Sequence, residues 1–509
     1  GSEMCIRDRV VARIIRNREV IGEKNIRIYL GGNLSDLSDP HQMKDMDRLV
    51  EILAQKIRKQ VHIRIIGDYD VDGVTSSHLF LTALRRVGAK VDVVIPHRIQ
   101  DGYGLSLHLL QQAKEDGVDT ILTCDNGIAA IDEIAWAKAQ KMTVLVTDHH
   151  AVPFEEHEGR RTEKKSLADA VVNPHQQDCR YPYKELCGAG VAWNVIRVLY
   201  ENYDMDKREA EDLLDFVAMA TVCDVMSLTG ENRILVKEGL KRIRHTKNIG
   251  LQALMQACNV QPENISAYHF GYVLGPCVNA TGRLDTARHA LRLFETGQET
   301  EAEEIARDLV DLNQERKELT LQGVEMAKKL CEEGGYENDP VLVLFLPDVH
   351  ESIAGLIAGR IREMYNRPVF VLTRGEEGVK GSGRSTENYS MYENMCGCAE
   401  LFTKFGGHPM AAGLSLPEEN VEKFRRKINE NCPLTVEEVC PDIHIDMAMP
   451  VGYASTELVH QFALLEPFGK DNPSPLFADR NLSISRMWVI GKNLSLIHIS
   501  EPTRLLSIS

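Results

Sequence analysis

Short runs of apolar residues alternate with amphipathic stretches through the first part of the chain. Four runs have the length and β-branched content of buried strands: VHIRII (61–66), KVDVVI (90–95), TILTC (120–124) and MTVLVT (142–147). Residues 128–140, between the last two, carry apolar side chains at three- and four-residue spacing, which is typical of one face of a helix. Strands that alternate with helices from 61 to about 180 predict a parallel α/β domain.

A long amphipathic helix is predicted at 301–333, where one helical face is apolar and the other is densely charged. Its length exceeds that of an ordinary globular helix, so we interpret it as a connector between two domains. A second α/β unit follows, with strands at 341–346 and 369–373 around a helix at 353–365. Short strand-like pieces from about 440 to 493 predict a small, partial β-barrel.

These segments divide the chain into six predicted parts. They are an artefactual or irregular N-terminus (1–16), a catalytic α/β domain with a helical lead-in (17–235), a helical connector (236–335), a substrate-binding α/β domain (336–435), a partial β-barrel (436–493) and an artefactual tail (494–509). Both end segments lack a coherent hydrophobic period and resemble translated sequencing-adaptor sequence, so they are left out of the fold prediction.

The composition is typical of a water-soluble globular protein with several domains. The chain has 509 residues, 43% of them hydrophobic and 26% charged, and has no apolar run long enough to span a membrane. None of its 12 cysteines forms a CxxC pair, so reduced thiols in the cytoplasm are expected. The net charge of −16 does not exclude a nucleic-acid ligand, because acid beyond a Debye length of about 8 Å is largely screened from a basic groove.

Carboxylates and imidazoles follow three of the predicted strands. They occur in DYDVDG (68–73), in DNG (125–127) and in DHH (148–150). Because the carboxyl ends of parallel strands meet at one edge of a sheet, we expect these side chains to gather in one crevice. Such a cluster predicts a hydrolase that holds two metal cations.

Each motif also has a simpler interpretation. DxDxDG opens EF-hand loops, but the twelfth position of such a loop needs a bidentate Glu, and here it is Leu79. DNG alone is a common hairpin turn, although the helix-like stretch behind it favours a strand–loop–helix unit. Adjacent histidines are often incidental, whereas their position after a strand and an Asp favours a site.

The three motifs, with Asp224 at the end of a predicted helix, resemble those of the DHH phosphoesterase superfamily. The later block GSGRSTEN…LFTKFGGHPMAAGLSL is similar to the DHHA1 domain of that superfamily. The loops PHRIQDGYGLS, NATGRLDTARHAL and LEPFGKDNPSPLF resemble its bacterial single-strand-specific exonucleases. The resemblance extends from about 17 to 493. It implies an α/β fold class in which a long helix joins a parallel-sheet DHH domain to a DHHA1 domain, followed by a partial OB-like β-barrel.

Hydrolysis of a phosphodiester requires an ionised water and shielding of the charge on phosphorus, which two cations roughly 3.5–4 Å apart provide. Asp70 and Asp72 alternate on one short turn, so they can point at different ions. Asp125 is predicted to bridge the two ions, with Asp68 completing the first ion and His149 and Asp224 the second. The resemblance implies the same assignment. Imidazole among carboxylates favours Mn²⁺, with Mg²⁺ as the alternative.

Two further residues of the DHH motif are given supporting roles. His150 is predicted to face the substrate phosphate, and Asp148 to accept hydrogen bonds behind the metal ligands. Without the resemblance, Asp224 is equally well explained as a polar residue at the end of a helix.

Phosphate-binding groups are expected on the opposite wall of the cleft. Residues 381–385 (GSGRS) offer backbone amides, the Ser382 hydroxyl and the Arg384 guanidinium, and 406–408 (GGH) add the imidazole of His408. The resemblance assigns both loops to the substrate, and Arg98 and Arg283 are further candidates. Glycine-rich loops are usually only turns, and each arginine is equally compatible with a solvated surface.

The resemblance implies an exonuclease that degrades single-stranded DNA from the 5′ end to mononucleotides in DNA repair and recombination. Two alternatives stay open, a phosphodiesterase for short oligonucleotides or cyclic dinucleotides and an inactive replication scaffold of the same fold. The expected partner is single-stranded DNA, with a single-strand-binding protein and a helicase as further candidates. No membrane association is expected, and the protein is predicted to be a monomer.

Overall fold

The computed structural model describes residues 2–98, 101, 104–157, 160–336, 339–375, 378–434, 443–480, 483–490 and 494–500. Within these ranges, no helix combines the length and apolar character needed to cross a membrane. The predicted junction at 435–436 and the last part of the predicted tail, 501–509, lie outside the described residues.

A five-stranded parallel sheet forms the centre of the first domain, in the order β2-β1-β3-β4-β7. Its strands, with a hairpin inserted before the last, are β1 (His62–Ile66), β2 (Lys90–Val94), β3 (Thr120–Cys124), β4 (Thr143–Thr147), the hairpin β5 (Phe154–His157) and β6 (Arg160–Glu163), and β7 (Ala170–Val172). The central strands β1, β3 and β4 are almost entirely buried because both faces of the sheet are covered. The predicted parallel α/β domain is confirmed.

The helices of this domain cover the sheet and build a helical layer beside it. They are α1 (Ser2–Asn17), α2 (Glu23–Gly31), α3 (Met46–Arg58), α4 (Val71–Arg86), α5 (Leu107–Glu115), α6 (Ile131–Ala139), α7 (Gly188–Asn202), α8 (Lys207–Glu211), α9 (Leu214–Cys223) and α10 (Gly230–Ile243). Helix α4 packs against both α7 and α9, and nearly all of its residues are buried. This packing fixes the start of α4, where the first acidic motif lies.

A group of helices then leads to the second domain. They are α11 (Ile249–Ala257), α12 (Ala267–His269), α13 (Gly275–Leu284), α14 (Ala287–Glu295) and α15 (Glu299–Glu333), with a π-helical turn (Phe270–Leu274) between α12 and α13. Helix α15 confirms the long helix predicted at 301–333. At about 1.5 Å per residue its 35 residues span roughly 50 Å. It packs on α11 and α13 first and on the second domain afterwards, so it connects the two domains.

The second domain contains a five-stranded mixed sheet in the order β11-β12-β10-β9-β8. Its elements are β8 (Leu342–Phe345), α16 (Ala354–Tyr365), β9 (Val369–Gly375), β10 (Gly378–Arg384), α17 (Met391–Cys396), β11 (Lys404–His408), β12 (Ala411–Leu416) and α18 (Val421–Glu430). One apolar cluster joins β8 and β9 to α15 and α16, and a second joins the opposite face to α17 and α18. Helix α16 therefore covers only part of one face, and the rest of that face opens toward the first domain.

The C-terminal segment contains two small two-stranded sheets and one helix. Its elements are β13 (Met447–Ala448), α19 (Thr456–Phe462), β14 (Phe477–Ala478), β15 (Ser483–Ile490) and β16 (Leu494–Ser500), with β13 paired to β14 and β15 to β16. Residues 2–16, which belong to the segment predicted to be artefactual or irregular, form most of α1. Val10 and Ile14 of α1 are buried in one cluster with Leu458 and Leu465.

Candidate active site

The carboxyl ends of β1, β3 and β4 carry the predicted acidic and histidine residues. Asp68 and Asp125 lie just beyond β1 and β3, and His149 lies two residues after β4. Strand β3 pairs with both β1 and β4 in parallel, so their loops meet at one edge of the sheet. Asp224 reaches the same place from the C-terminal end of α9.

Helix α4 begins inside the DYDVDG motif. Asp70 is its N-cap and accepts a hydrogen bond from the Gly73 amide at 3.0 Å. Asp72, in the first turn, accepts hydrogen bonds from the amides of Gly188 at 2.6 Å and Ala189 at 2.7 Å, at the start of α7. Two donors at a helix N-terminus therefore hold the Asp72 carboxylate in one position.

The DNG turn places Asp125 in an uncommon backbone conformation, with φ of 61°. Only Gly, Asn and Asp adopt this left-handed region with any frequency. Gly188 of α7 packs directly on this turn, because a Cβ atom at residue 188 would lie 2.6 Å from the Asp125 Cβ. Gly188 was not predicted from the sequence, although the GAG tripeptide at 188–190 was its visible signal.

The ligand atoms of the cluster lie close enough to share metal ions. The Nε2 atom of His149 lies 3.1 Å from an Asp125 oxygen, 3.5 Å from Asp224 and 3.7 Å from Asp72. Three groups have all their ligand atoms within 4.8 Å of one another: Asp68–Asp70–Asp125, Asp72–His149–Asp224 and Asp125–His149–His150. The structure therefore brings together all six residues predicted as ligands. Their role as ligands stays a prediction.

Burial and mutual repulsion make these carboxylates unusually weak acids. Burial, and then the charge of neighbouring aspartates, raises the pKa of Asp68, Asp125 and Asp224 well above the ordinary value. The pKa of Asp70 is raised for the same two reasons, with Asp72 as the nearest acid. Several buried acids at one point favour binding of cations, which would neutralise them.

Two buried atoms test whether this cluster fits a metal. Asp68 Oδ1 forms no hydrogen bond with any described residue, and His149 Nε2 forms none of good geometry although it lies 3.1 Å from an Asp125 oxygen. Buried polar atoms are normally satisfied, so both have a lone pair to offer a ligand. Carboxylate oxygens with an imidazole nitrogen are suitable donors for Mn²⁺ or Mg²⁺. The residues therefore fit a metal site.

Asp148 and His150 form a supporting pair beside the cluster. Asp148 accepts hydrogen bonds from the Ile128 amide at 2.9 Å, the His149 amide at 2.7 Å and His150 Nδ1 at 2.8 Å. Burial alone would raise the pKa of Asp148, but the hydrogen bond and charge of His150 lower it overall. Burial lowers the pKa of His150, yet the bond to Asp148 outweighs it and raises the value to about 9. The upward shift of the pKa favours the protonated form of His150 at neutral pH.

The three predicted arginines gather where the two domains face each other. Arg283 donates to the Ser352 carbonyl oxygen at 2.8 Å, and Arg98 lies 5.0 Å from the centre of the Tyr69 ring. Burial and then the charges of nearby arginines, including Arg98 and Arg384, lower the pKa of Arg283 to about 10. Neither Arg283 nor Arg384 forms an ion pair with a described carboxylate. Uncompensated guanidinium groups at one place favour an anionic ligand.

The start of α16 belongs to the same wall. A Cβ atom on Gly355 would lie 2.7 Å from Ser382 Oγ and 2.9 Å from an Arg384 nitrogen, so the absent side chain leaves room for both. The N-terminus of a 12-residue helix, a hydroxyl and a guanidinium thus converge on one point. Ser382 and Arg384 were predicted from the sequence, whereas Gly355 was not; its signal was the small-residue start of the helix.

A cavity of about 460 Å³ separates the two domains at this wall. Tyr69 and Arg98 line it from the first domain, and Ser352 and Ser382 line it from the second. His408, the remaining predicted phosphate ligand, is exposed and is not among the lining residues. It lies on β11 in the same cross-strand row as Arg384, with Ala411 of β12 between them.

A second, larger cavity of about 790 Å³ begins beside Asp224 and was not anticipated from the sequence. It lies between α10, the turn around 265–272 and the C-terminal segment. Tyr268 and Tyr272 project into it with their rings stacked, the ring centres 5.1 Å apart and the planes at 25°. They are 62% and 71% exposed. Its lining includes the basic residues Lys237, Lys241, Arg244 and Lys470. We call this cavity the tyrosine groove; its sequence signal was the spacing of two tyrosines by four residues.

Comparisons with known proteins give the same family for each part of the chain. Residues 62–221 match the family model of the DHH family N-terminal domain, 338–432 the DHHA1 domain and 445–503 the RecJ OB domain. The last match extends into the segment predicted to be an artefactual tail.

Two curated relatives and one solved structure show how far the similarity extends. The RecJ single-stranded-DNA-specific exonuclease of Haemophilus influenzae is 34% identical, covering 94% of this chain and 84% of the relative. The Bacillus subtilis RecJ is 33% identical over 95% of this chain, which spans 60% of that relative's length. A crystal structure of Thermus thermophilus RecJ with Mn²⁺ superposes with a TM-score of 0.77 at 27% identity, covering 98% of this chain and 73% of that one.

Proposed function

The chain belongs to the RecJ family of single-stranded-DNA-specific exonucleases, and we propose from this premise that it degrades single-stranded DNA from the 5′ end to mononucleotides. The observation that supports the proposal best is the position of Asp125, which belongs to two separate groups of candidate metal ligands. A carboxylate in that position can bridge two ions, as in two-metal sites that hydrolyse phosphodiesters.

Two divalent cations, Mn²⁺ by preference or Mg²⁺, are the proposed cofactors. Asp68 and Asp70 would hold the first ion. His149, Asp224 and Asp72 would hold the second, and Asp125 would bind both ions. When bound, the ions would supply an ionised water and screen the charge that builds on phosphorus. The helix N-terminus of α7 keeps the Asp72 carboxylate oriented for this task through the amides of residues 188 and 189.

His150 is proposed to bind the scissile phosphate. Its Nδ1–H donates to Asp148 at 2.8 Å, which fixes the ring and keeps the imidazole protonated. The Nε2–H can then donate to a non-bridging phosphate oxygen. A charged donor in a buried site stabilises the negative charge that develops during attack by water.

The 5′ end is proposed to lie at the opposite wall. Ser382, Arg384 and the start of α16 would hold a terminal phosphate, with Arg98 closing over it from the first domain. A terminal monoester carries more negative charge than an internal diester, so this wall selects an end. With the terminal phosphate held there and the metal cluster one nucleotide away, each reaction releases one nucleotide and the polarity is 5′ to 3′.

The rest of the strand is proposed to run along the tyrosine groove. The groove starts next to Asp224 and offers two stacked rings with four basic side chains, the combination that binds single strands without sequence preference. Bases in a single strand have free faces for stacking, whereas paired bases in a duplex do not.

Tyr272→Ala should weaken binding of a single strand that reaches the groove by roughly tenfold, because aromatic stacking is worth about 1–3 kcal/mol per base. The measurement is fluorescence anisotropy with labelled oligonucleotides in EDTA, so that no cleavage occurs. Tyr272→Phe retains the ring and should bind like the parent. Equal binding by the alanine variant would show that the strand takes another path.

The protein should not degrade blunt duplex DNA, whereas it should degrade single strands of the same sequence in the presence of Mn²⁺. Binding of single strands should fall about tenfold or more between roughly 50 and 200 mM salt, because the basic residues release counterions from the phosphates. End-labelled single strands, duplexes and dinucleotides are compared in one experiment. Similar rates on single strand and duplex would contradict the proposal, and activity confined to dinucleotides would favour the short-oligonucleotide alternative. Binding without turnover would favour the inactive scaffold.

Protein partners are a separate matter. A single-strand-binding protein and a helicase remain predicted partners, and the monomeric state remains a prediction as well. Gel filtration of the purified chain, alone and with each partner, is the direct measurement of both.

A further inference from the structure

One face of the second sheet carries basic side chains next to glycines. On β10 the side chains of Lys380, Ser382 and Arg384 share this face, because alternate residues of a strand point the same way. The register of the sheet places Ser415 and Lys404 in the row of Lys380. In the next row, the neighbours of Ser382 on β12 and β11 are Gly413 and Gly406, which have no side chains to cover this face of the sheet.

The basic row at Lys380 is separate from the proposed site of the terminal phosphate. Two residues along a strand correspond to roughly 6.7 Å, so this row lies about that far from Ser382. Lys380, Lys404 and Ser415 all line the cavity between the domains, on the side away from Arg384. A second group of anion-binding side chains therefore lies within the same cavity.

The cavity is much larger than one phosphate group requires. Its volume is about 460 Å³, whereas a single water needs only about 10–15 Å³ of such space. Lys380 is paired with Glu351 at 2.8 Å, whereas Lys404 forms no ion pair with any described residue. The row therefore carries a net positive charge on the wall of the cavity.

We propose that this row binds the outer phosphates of a 5′-triphosphate, so that strands with a triphosphate end are substrates as well as those with a monophosphate. The inference rests on the function proposed above. The first phosphate would occupy the site at Ser382 and Arg384, and the second and third would extend along the sheet toward Lys380 and Lys404. The distance of about two residues along β10 suits a linear chain of three phosphates.

The first product from such a strand would be a nucleoside triphosphate. Water attacks the phosphorus of the first internal diester, and its oxygen forms the new P–O bond while the bond from phosphorus to O3′ of the first nucleotide breaks. That O3′ takes up a proton and becomes a hydroxyl. The remaining strand carries a 5′-monophosphate, and no phosphoanhydride bond is broken.

The test measures binding and the first product for strands that differ only in a 5′-hydroxyl, a 5′-monophosphate or a 5′-triphosphate. The protein should bind the triphosphate strand at least as tightly as the monophosphate strand in EDTA. In Mn²⁺, mass spectrometry should find a nucleoside triphosphate as the first product. Inorganic tripolyphosphate contains the same chain of three phosphates without a nucleotide. It should therefore compete with the triphosphate strand for the site at Lys380 and Lys404.

Two variants are expected to change binding of the triphosphate strand in opposite directions, which makes the test specific. Lys404→Gln should weaken binding of the triphosphate strand about tenfold, because one charge-assisted hydrogen bond is lost. It should change binding of the monophosphate strand less than threefold. Glu351→Gln should strengthen binding of the triphosphate strand several-fold, because it removes a negative charge and releases Lys380. Lys423→Gln, on the exposed side of α18, is the control and should change neither.

Particular outcomes would overturn the inference. They are triphosphate binding more than tenfold weaker than monophosphate binding, an equal loss on both strands in Lys404→Gln, or a nucleoside monophosphate as the first product. Failure of the proposed function looks different, since no single strand would then be cleaved whatever its 5′ end. Competition by tripolyphosphate with no effect of the strand's own triphosphate would indicate a site for free polyphosphate only.

Discussion

Asp125→Ala is expected to reduce hydrolysis of single-stranded DNA by roughly a thousandfold or more, because loss of a bridging ligand removes several kcal/mol of transition-state stabilisation. Asp125 is the carboxylate common to two groups of candidate ligands, so its loss should impair both ions together. Initial rates at matched Mn²⁺ concentrations measure the effect, and calorimetric titration should show fewer than two bound ions.

The fold should survive this substitution. Burial and the charges of Asp72 and Asp70 raise the pKa of Asp125, which means that the ionised group is unfavourable in the folded metal-free protein. Thermal unfolding in EDTA near neutral pH should therefore change little in the variant, because removal of the buried charge offsets the cost of placing Ala at a φ of 61°. Asp311→Ala, on the exposed surface of α15, is the matched control and should keep full activity. Retained turnover in Asp125→Ala would contradict the bridging role.

Arg384→Ala should slow degradation of 5′-phosphorylated single strands by roughly ten- to a hundredfold, because a charge-assisted hydrogen bond contributes about 1.5–3 kcal/mol. Strands with a 5′-hydroxyl should lose much less, since they offer no terminal phosphate. Single-turnover rates on both substrates give the comparison.

Two variants separate the roles of charge and geometry at this position. Arg384→Lys keeps the charge but loses the planar fork, so it should fall between the parent and the alanine variant. Arg374→Ala removes an exposed arginine of β9 that pairs with Glu418, and it should change neither rate. An equal loss on both substrates in Arg384→Ala would mean that the residue holds an internal phosphate.

The strands and the acidic motifs were predictable because they depend on local patterns. A buried parallel strand has a short apolar sequence, and the residue just after it lies at the edge of the sheet where ligands bind. The cluster around Asp125 follows from these two rules. Asp224 could not be placed by such reasoning, since it follows a helix, and only the packing of α9 against α4 brings it to the cluster.

The contacts that orient the site were harder to predict because glycine has no side-chain chemistry to recognise. Gly188 matters through its amide on Asp72 and its close approach to Asp125, and Gly355 matters through the space it leaves for Arg384. Both positions depend on how distant segments pack. The tyrosine groove was missed for a related reason, since its walls come from three parts of the chain.

The packing of α1 on the C-terminal segment affects how the protein is made. Ile14 is buried in one cluster with Leu458, more than 400 positions later in the chain. At roughly 5–20 residues per second, a ribosome needs about 20 to 90 seconds to synthesise the intervening residues. Throughout that interval the apolar face of α1 can pack against Tyr29 but lacks the part of its cluster that comes from Leu458 and Leu465. Lys470, whose carbonyl oxygen accepts a hydrogen bond from the Leu228 amide at 2.9 Å, arrives at the same late stage. The C-terminal wall of the tyrosine groove is therefore added long after Tyr268 and Tyr272 have been synthesised.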